Sequence, residues 1–157
     1  MNRLSFLMAF ILCCNLGFSQ GVNLEEMKES KRIAYLKKKS KEVIMNFGPS
    51  YYRKKQKPSV SQVKEYDPEG STHPIKIQNE GRKYYRVTYT YDKTEESMPF
   101  WYAAEVDIWA DTGEPVRVNF GNGMGKTFLA RPYDEWVKEG IKEEDKNHWE
   151  KKKPNKQ

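Results

Sequence analysis

A chain of 157 residues with 28 Lys or Arg against 22 Asp or Glu, a net charge of +6, has the length of one ordinary domain and can bury a single core without covalent staples. Only two cysteines occur, adjacent at Cys13 and Cys14, which excludes a disulfide framework. The basic excess is local: Lys28 to Lys64 holds twelve Lys or Arg and two acids, whereas residues 65–157 hold fifteen basic and eighteen acidic side chains.

The chain opens as a secretory signal peptide reads. Arg3 gives a short positive start, Leu4 to Leu16 is almost wholly apolar, and Gly17-Phe18-Ser19 ends with small residues where a signal peptidase cuts. The expected division is 1–19 signal peptide, 20–141 one domain and 142–157 charged tail. Cleavage after Ser19 leaves 27 basic against 22 acidic residues, no thiol, and a secreted or periplasmic protein. That compartment removes ATP-driven, NAD-dependent and most genome-directed functions. Neither cysteine follows the small residues that lipidation needs, since Cys13 follows Ile11-Leu12 and Cys14 follows Leu12-Cys13. The apolar run is also shorter than the roughly 18 to 20 residues of a membrane span.

Asn23, with Glu25 and Glu26 behind it, reads as the N-cap of a helix reaching about Asn46. Ile33, Leu36, Ser40, Val43 and Phe47 recur at spacings of three and four and define its buried face, and Gly48-Pro49 ends it. The period then changes to two. Val60 to Tyr66 and Pro74 to Gln78 are strand candidates around the turn Asp67-Pro68-Glu69-Gly70-Ser71. Lys83 to Tyr91 sets Tyr85, Val87, Tyr89 and Tyr91 against Arg86, Thr88 and Thr90 on the other face. Phe100 to Ala110 turns Phe100, Tyr102, Ala104, Val106, Ile108 and Ala110 inward. After Asp111-Thr112-Gly113-Glu114, Pro115 to Phe120 puts Val116, Val118 and Phe120 on one face, giving an antiparallel meander. A short helix opens at Pro132, with Trp136 and Val137 placed to cap the core.

These elements predict an α+β fold: an N-terminal amphipathic helix on a twisted antiparallel sheet of about four to five strands, with a short C-terminal helix. Tyr84-Tyr85-Arg86-Val87, Tyr102-Ala103-Ala104-Glu105-Val106-Asp107-Ile108 and Asp111-Thr112-Gly113-Glu114-Pro115-Val116 resemble the strand, strand, turn and strand of PepSY-like and cystatin-like extracytoplasmic domains. The resemblance covers residues 24–120. It implies a helix packed on an antiparallel sheet and a role in binding or restraining proteases or other envelope proteins. Gln62-Val63-Lys64-Glu65-Tyr66 lacks the glycine of the cystatins' inhibitory Gln-x-Val-x-Gly loop.

Chemistry-bearing patterns are sparse. Gly121-Asn122-Gly123-Met124-Gly125-Lys126-Thr127 ends like a phosphate-binding loop, but Phe120 stands where the first glycine belongs and Pro132 interrupts the helix that should follow, so it reads as a glycine-rich exit loop. His73, in a turn, and His148, in the tail, show no ligand spacing, and no metal or cofactor is expected. Glu105 and Asp107 share one strand face as solvated outward charges, with paired-carboxylate chemistry as the alternative. The same face carries Trp101 and Trp109, either an exposed pair suited to a sugar or peptide or part of a second core layer under Trp136 and the last helix. Lys37, Lys38, Lys41, Arg53, Lys54, Lys55 and Lys57 define a basic surface for an anionic partner, or a solvated lysine face.

The sequence therefore predicts a small secreted or periplasmic non-catalytic domain that binds or inhibits an envelope or extracellular protein. The alternatives are a carbohydrate-binding accessory protein using Trp101 and Trp109, which flank Glu105 and Asp107, an anionic polysaccharide as the partner of the basic surface, and a small hydrolase with an unrecognised site. Nucleic acid fits the charge and not the compartment.

Overall fold

The computed structural model describes residues 21–141 and 155–156. The signal-peptide and most of the charged-tail readings, with His148, fall outside the described residues. Helix α1 spans Glu29–Phe47 and buries Leu36, Ser40, Val43, Ile44 and Phe47, the stripe that the three-and-four spacing predicts, with Ile44 added and Ile33 only half-buried. Ser40 lies on the apolar line because its hydroxyl meets the Tyr89 hydroxyl at 3.0 Å inside the core. The helix does not begin behind Asn23. The Asn23 side chain closes a separate turn, accepting from the Glu25 amide at 3.1 Å and donating to Glu26 at 2.8 Å. Leu24 is fully buried and its amide bonds the Ala110 carbonyl at 2.7 Å, which draws this segment away from the helix axis.

Strands β1 (Ser59–Val60), β2 (Lys64–Glu65), β3 (Lys83–Tyr89), β5 (Ala104–Trp109), β6 (Pro115–Phe120) and β7 (Gly125–Thr127) form one antiparallel sheet. Its order is β1, β3, β5, β6, β7, with β2 pairing β3 beside β1. The expected strand Val60 to Tyr66 is thus two short rungs rather than a continuous ladder. A separate two-stranded ladder joins β4 (Glu96–Ser97) to β8 (Asn155–Lys156). The fold is α+β: α1 covers one face of the sheet, joined there by helix α3 (Tyr133–Glu139). Val87 opposite Val106 and Tyr85 opposite Ile108 turn the core-facing set of β3 and β5 toward α1.

Four local expectations are corrected. Pro74–Ile77 is a helical turn, α2, because the amides of Ile77 and Gln78 bond back to the carbonyls of His73 and Pro74, and Pro74 suits a first helical position. The strand expected from Phe100 begins only at Ala104. Ala103 and Ala104 both enter the core, which breaks the alternation, and Phe100 stays 45% exposed. Val116 leaves the core face because the β5–β6 register shifts between Asp107 and Ile108 and the bulge turns Val116 to the outer side, beside Tyr84 and Trp109. In α3, Trp136 packs on the core through Phe47, at 6.4 Å between ring centroids, while Val137 points out.

Candidate functional site

The outer face of the sheet, away from α1, holds a closed ion-pair network. The two oxygens of Asp107 accept Arg86 Nε at 2.7 Å and Nη2 at 3.0 Å, and Oδ2 also accepts Arg117 Nε at 2.6 Å. Glu105 accepts the Thr88 hydroxyl at 3.0 Å and pairs with Arg86 Nη1 at 3.4 Å. Cross-strand register makes these contacts: Thr88 stands opposite Glu105, Arg86 opposite Asp107 and Asp107 opposite Arg117. The hydrogen bond to Asp107 holds the Arg86 guanidinium above its ordinary pKa. Burial works against the charge of Arg117, and Asp107 more than offsets it. The two carboxylates are buried, contrary to the expectation of solvated outward charges. Their lone pairs are spent on arginine and threonine, an arrangement suited to fixing the sheet rather than to moving protons.

The tryptophans are not an exposed pair. Trp109 is 5% exposed and lies under the Arg82 guanidinium, 4.1 Å from the ring centroid, and beside the Tyr66 ring at 5.6 Å. Asp111 holds Arg82 in place through two bonds of 2.9 Å. Tyr84, Val116 and Leu129 complete this small outer cluster. The cover over Trp109 is therefore not Trp136 and the last helix, which pack on the opposite face. Trp101 is 58% exposed and stands outside β5.

Trp101 belongs to a different constellation, the loop from Met98 to Tyr102. Tyr102 is its root: Phe100 stacks on the Tyr102 ring at 5.5 Å and Trp101 meets it edge-on at 5.7 Å. Burial raises the Tyr102 pKa and the neighbouring Glu105 charge raises it further, so the loop borders the ion-pair network. The glycine-rich segment is its support. Phe100 donates its amide to the Gly121 carbonyl at 3.1 Å, and Gly121 donates to Ala103 at 2.8 Å. A Cβ on Gly121 would strike the Tyr102 carbonyl and the Met98 sulfur, so only glycine permits this approach. Gly123, at φ +87°, makes the turn beneath Phe100. The chain continues into β7, not a helix, and Lys126 Nζ lies 3.5 Å from the Trp136 ring centroid, which gives the lysine of the phosphate-loop reading another contact.

The basic residues divide. Lys38, Lys41, Lys54, Lys55 and Lys57 are exposed and Lys37 is half-buried. Lys41 Nζ sits 5.2 Å from the Tyr52 ring centroid and connects the helix to the following loop. Arg53 leaves the basic surface: Nε donates to Glu96 Oε1 at 2.7 Å, Nη2 bonds Glu96 Oε2, and Nη1 donates to the Ser50 carbonyl at 2.6 Å. His73 is exposed in the turn before α2. Among the described residues, no group of three or more His, Cys, Asp or Glu side chains is gathered to hold a metal, and no helix is long and apolar enough to cross a membrane.

Sequence reasoning missed Phe100, placed inward, and the roles of Arg86, Arg117 and Glu96. Opposite charges facing across β3, β5 and β6 were the available signal for the two arginines. Nothing local announces that Glu96 meets Arg53. No family model matches the chain, and neither does any curated protein or solved structure.

Proposed function

We propose that this protein is a small non-catalytic binding domain that works outside the cytoplasm and docks on, or restrains, a protein of the cell envelope. The observation that carries this reading is the Met98–Tyr102 loop, which presents Phe100 and Trp101 at 45% and 58% exposure on a support of Tyr102 and Gly121. Large exposed aromatics on a fixed loop lose little conformational freedom on binding, and such residues commonly dominate interface energies. The signal-peptide pattern and the PepSY-like or cystatin-like resemblance supply the compartment and the class of partner. The carbohydrate reading depended on Trp101 and Trp109 acting together, and Trp109 is covered by Arg82 and Tyr66.

The test is a pull-down from envelope extract at low and high salt, with Trp101→Ala beside the unaltered protein. Retention of one protein at both salts, abolished by Trp101→Ala, is the expected outcome. Recovery of polysaccharide alone, or retention indifferent to Trp101→Ala, would overturn the proposal.

A further inference from the structure

The aromatic loop and the lysine loop lie at one end of the fold. Helix α1 leaves the sheet there: Gly48 abuts the Phe120 ring, Tyr51 packs on Phe120 at 4.8 Å and Tyr52 on Tyr89 at 5.6 Å. Tyr89 ends β3 and Phe120 ends β6, so residues 48–57 sit where β5 begins and the Met98–Tyr102 loop precedes it. A largely buried ion pair ties the two loops together, since the Arg53 and Glu96 side chains are only 13% and 15% exposed. It neutralises Arg53 and Glu96 against each other, and Lys54, Lys55 and Lys57 beside it are exposed. The chain has no acid between Gly48 and Ser61.

We infer that this end of the fold binds an acidic segment of a partner protein, whose apolar side chain seats on Phe100 and Trp101 while its carboxylates meet Lys54, Lys55 and Lys57. The inference rests on the binding-domain reading and adds the chemistry of the partner. Charge complementarity selects an acidic occupant, and the position of the remaining acids selects a discrete segment over an anionic bilayer. Asp92 and exposed Glu95 belong to the same connection as the aromatics and, with exposed Lys93 between them, leave that connection one acid in excess, whereas residues 48–61 carry cations alone. A polypeptide can follow the lysine side alone. Apolar anchoring gives the affinity, and the lysines add selection and salt dependence.

Three probes test this: a synthetic peptide with a leucine–phenylalanine–leucine centre flanked by glutamates, its glutamine counterpart, and vesicles containing about 30% phosphatidylglycerol. Three exposed ion pairs predict that the glutamate peptide binds about tenfold more tightly than the glutamine peptide at low salt. Lys54→Gln/Lys55→Gln/Lys57→Gln abolishes that ratio, and Trp101→Ala weakens both peptides alike. Unchanged thermal unfolding of both variants excludes misfolding as the cause. Equal binding of the two peptides, both lost in Trp101→Ala, overturns the acidic partner and leaves the binding domain standing. Tighter binding to vesicles than to the glutamate peptide, or no binding to either peptide, overturns the inference.

Discussion

Trp101 and Trp109 stand eight residues apart in the same segment, and strict alternation would put them on the same face, yet they occupy opposite kinds of surroundings. Trp109 lies in β5, where the sheet fixes its direction and Tyr66, Arg82 and Leu129 close over it. Trp101 precedes the strand, in a loop whose shape is set by backbone bonds to Gly121 and by the Tyr102 ring. One indole is part of the sheet's second, minor core and the other is held out of it. Residue type alone does not separate structure from function here. The remote residues that cover, or fail to cover, a side chain decide the matter.

The largest loss of stability is expected at Asp107. Asp107→Ala leaves the Arg117 guanidinium partly buried without its carboxylate and Arg86 with Glu105 alone, and costs about 3–5 kcal/mol in urea unfolding, the range for breaking one side of a buried pair. A loss under about 1 kcal/mol would make the network a surface ornament. Gly121→Ala forces the Met98–Tyr102 loop away from its support and costs about 1–3 kcal/mol. The same variant lowers partner retention, which separates a supported aromatic loop from a merely exposed one.

Smaller effects come from titration. Burial, followed by the hydrogen bond to Glu42, pushes the Tyr133 hydroxyl above its ordinary pKa, and burial does the same for Tyr89 and Tyr102. A raised folded-state value stabilises fully below the unfolded tyrosine pKa of about 10 and is lost as pH climbs through the folded value. Urea midpoints are therefore expected to fall above about pH 10. Burial raises the pKa of Glu114 too, so its favourable contribution belongs below the ordinary carboxylate range and is lost as pH rises through the raised value. Glu114→Gln is expected to raise the midpoint slightly at neutral pH and to narrow the difference in acid.

The buried stripe of α1 was legible because helical period and burial coincide from Leu36 to Phe47. The pairing of β3 with β5 was legible for the same reason at period two, through Tyr85, Val87, Val106 and Ile108. What escaped was set by bonds outside the local pattern. Val116 reads as core by alternation, and the β5–β6 bulge reverses it. Ile75 and Ile77 read as strand by alternation, but no neighbour pairs them and Pro74 starts a turn of helix. Of the candidate site, the sequence showed Trp101, the lysines and the glycine-rich loop as separate features. Their joining at one end through Arg53–Glu96 and Phe100–Gly121 depends on tertiary contacts that no spacing encodes.

Urea unfolding of Trp101→Ala and Trp109→Ala, measured side by side, tests the division between the two indoles most directly. A loss of about 3–5 kcal/mol is expected for Trp109→Ala, as for other buried aromatics, and a change within about 0.5 kcal/mol for Trp101→Ala. Equal losses in the two variants would contradict that division, because Trp101 would then be part of the fold's stability rather than a side chain held ready for a partner.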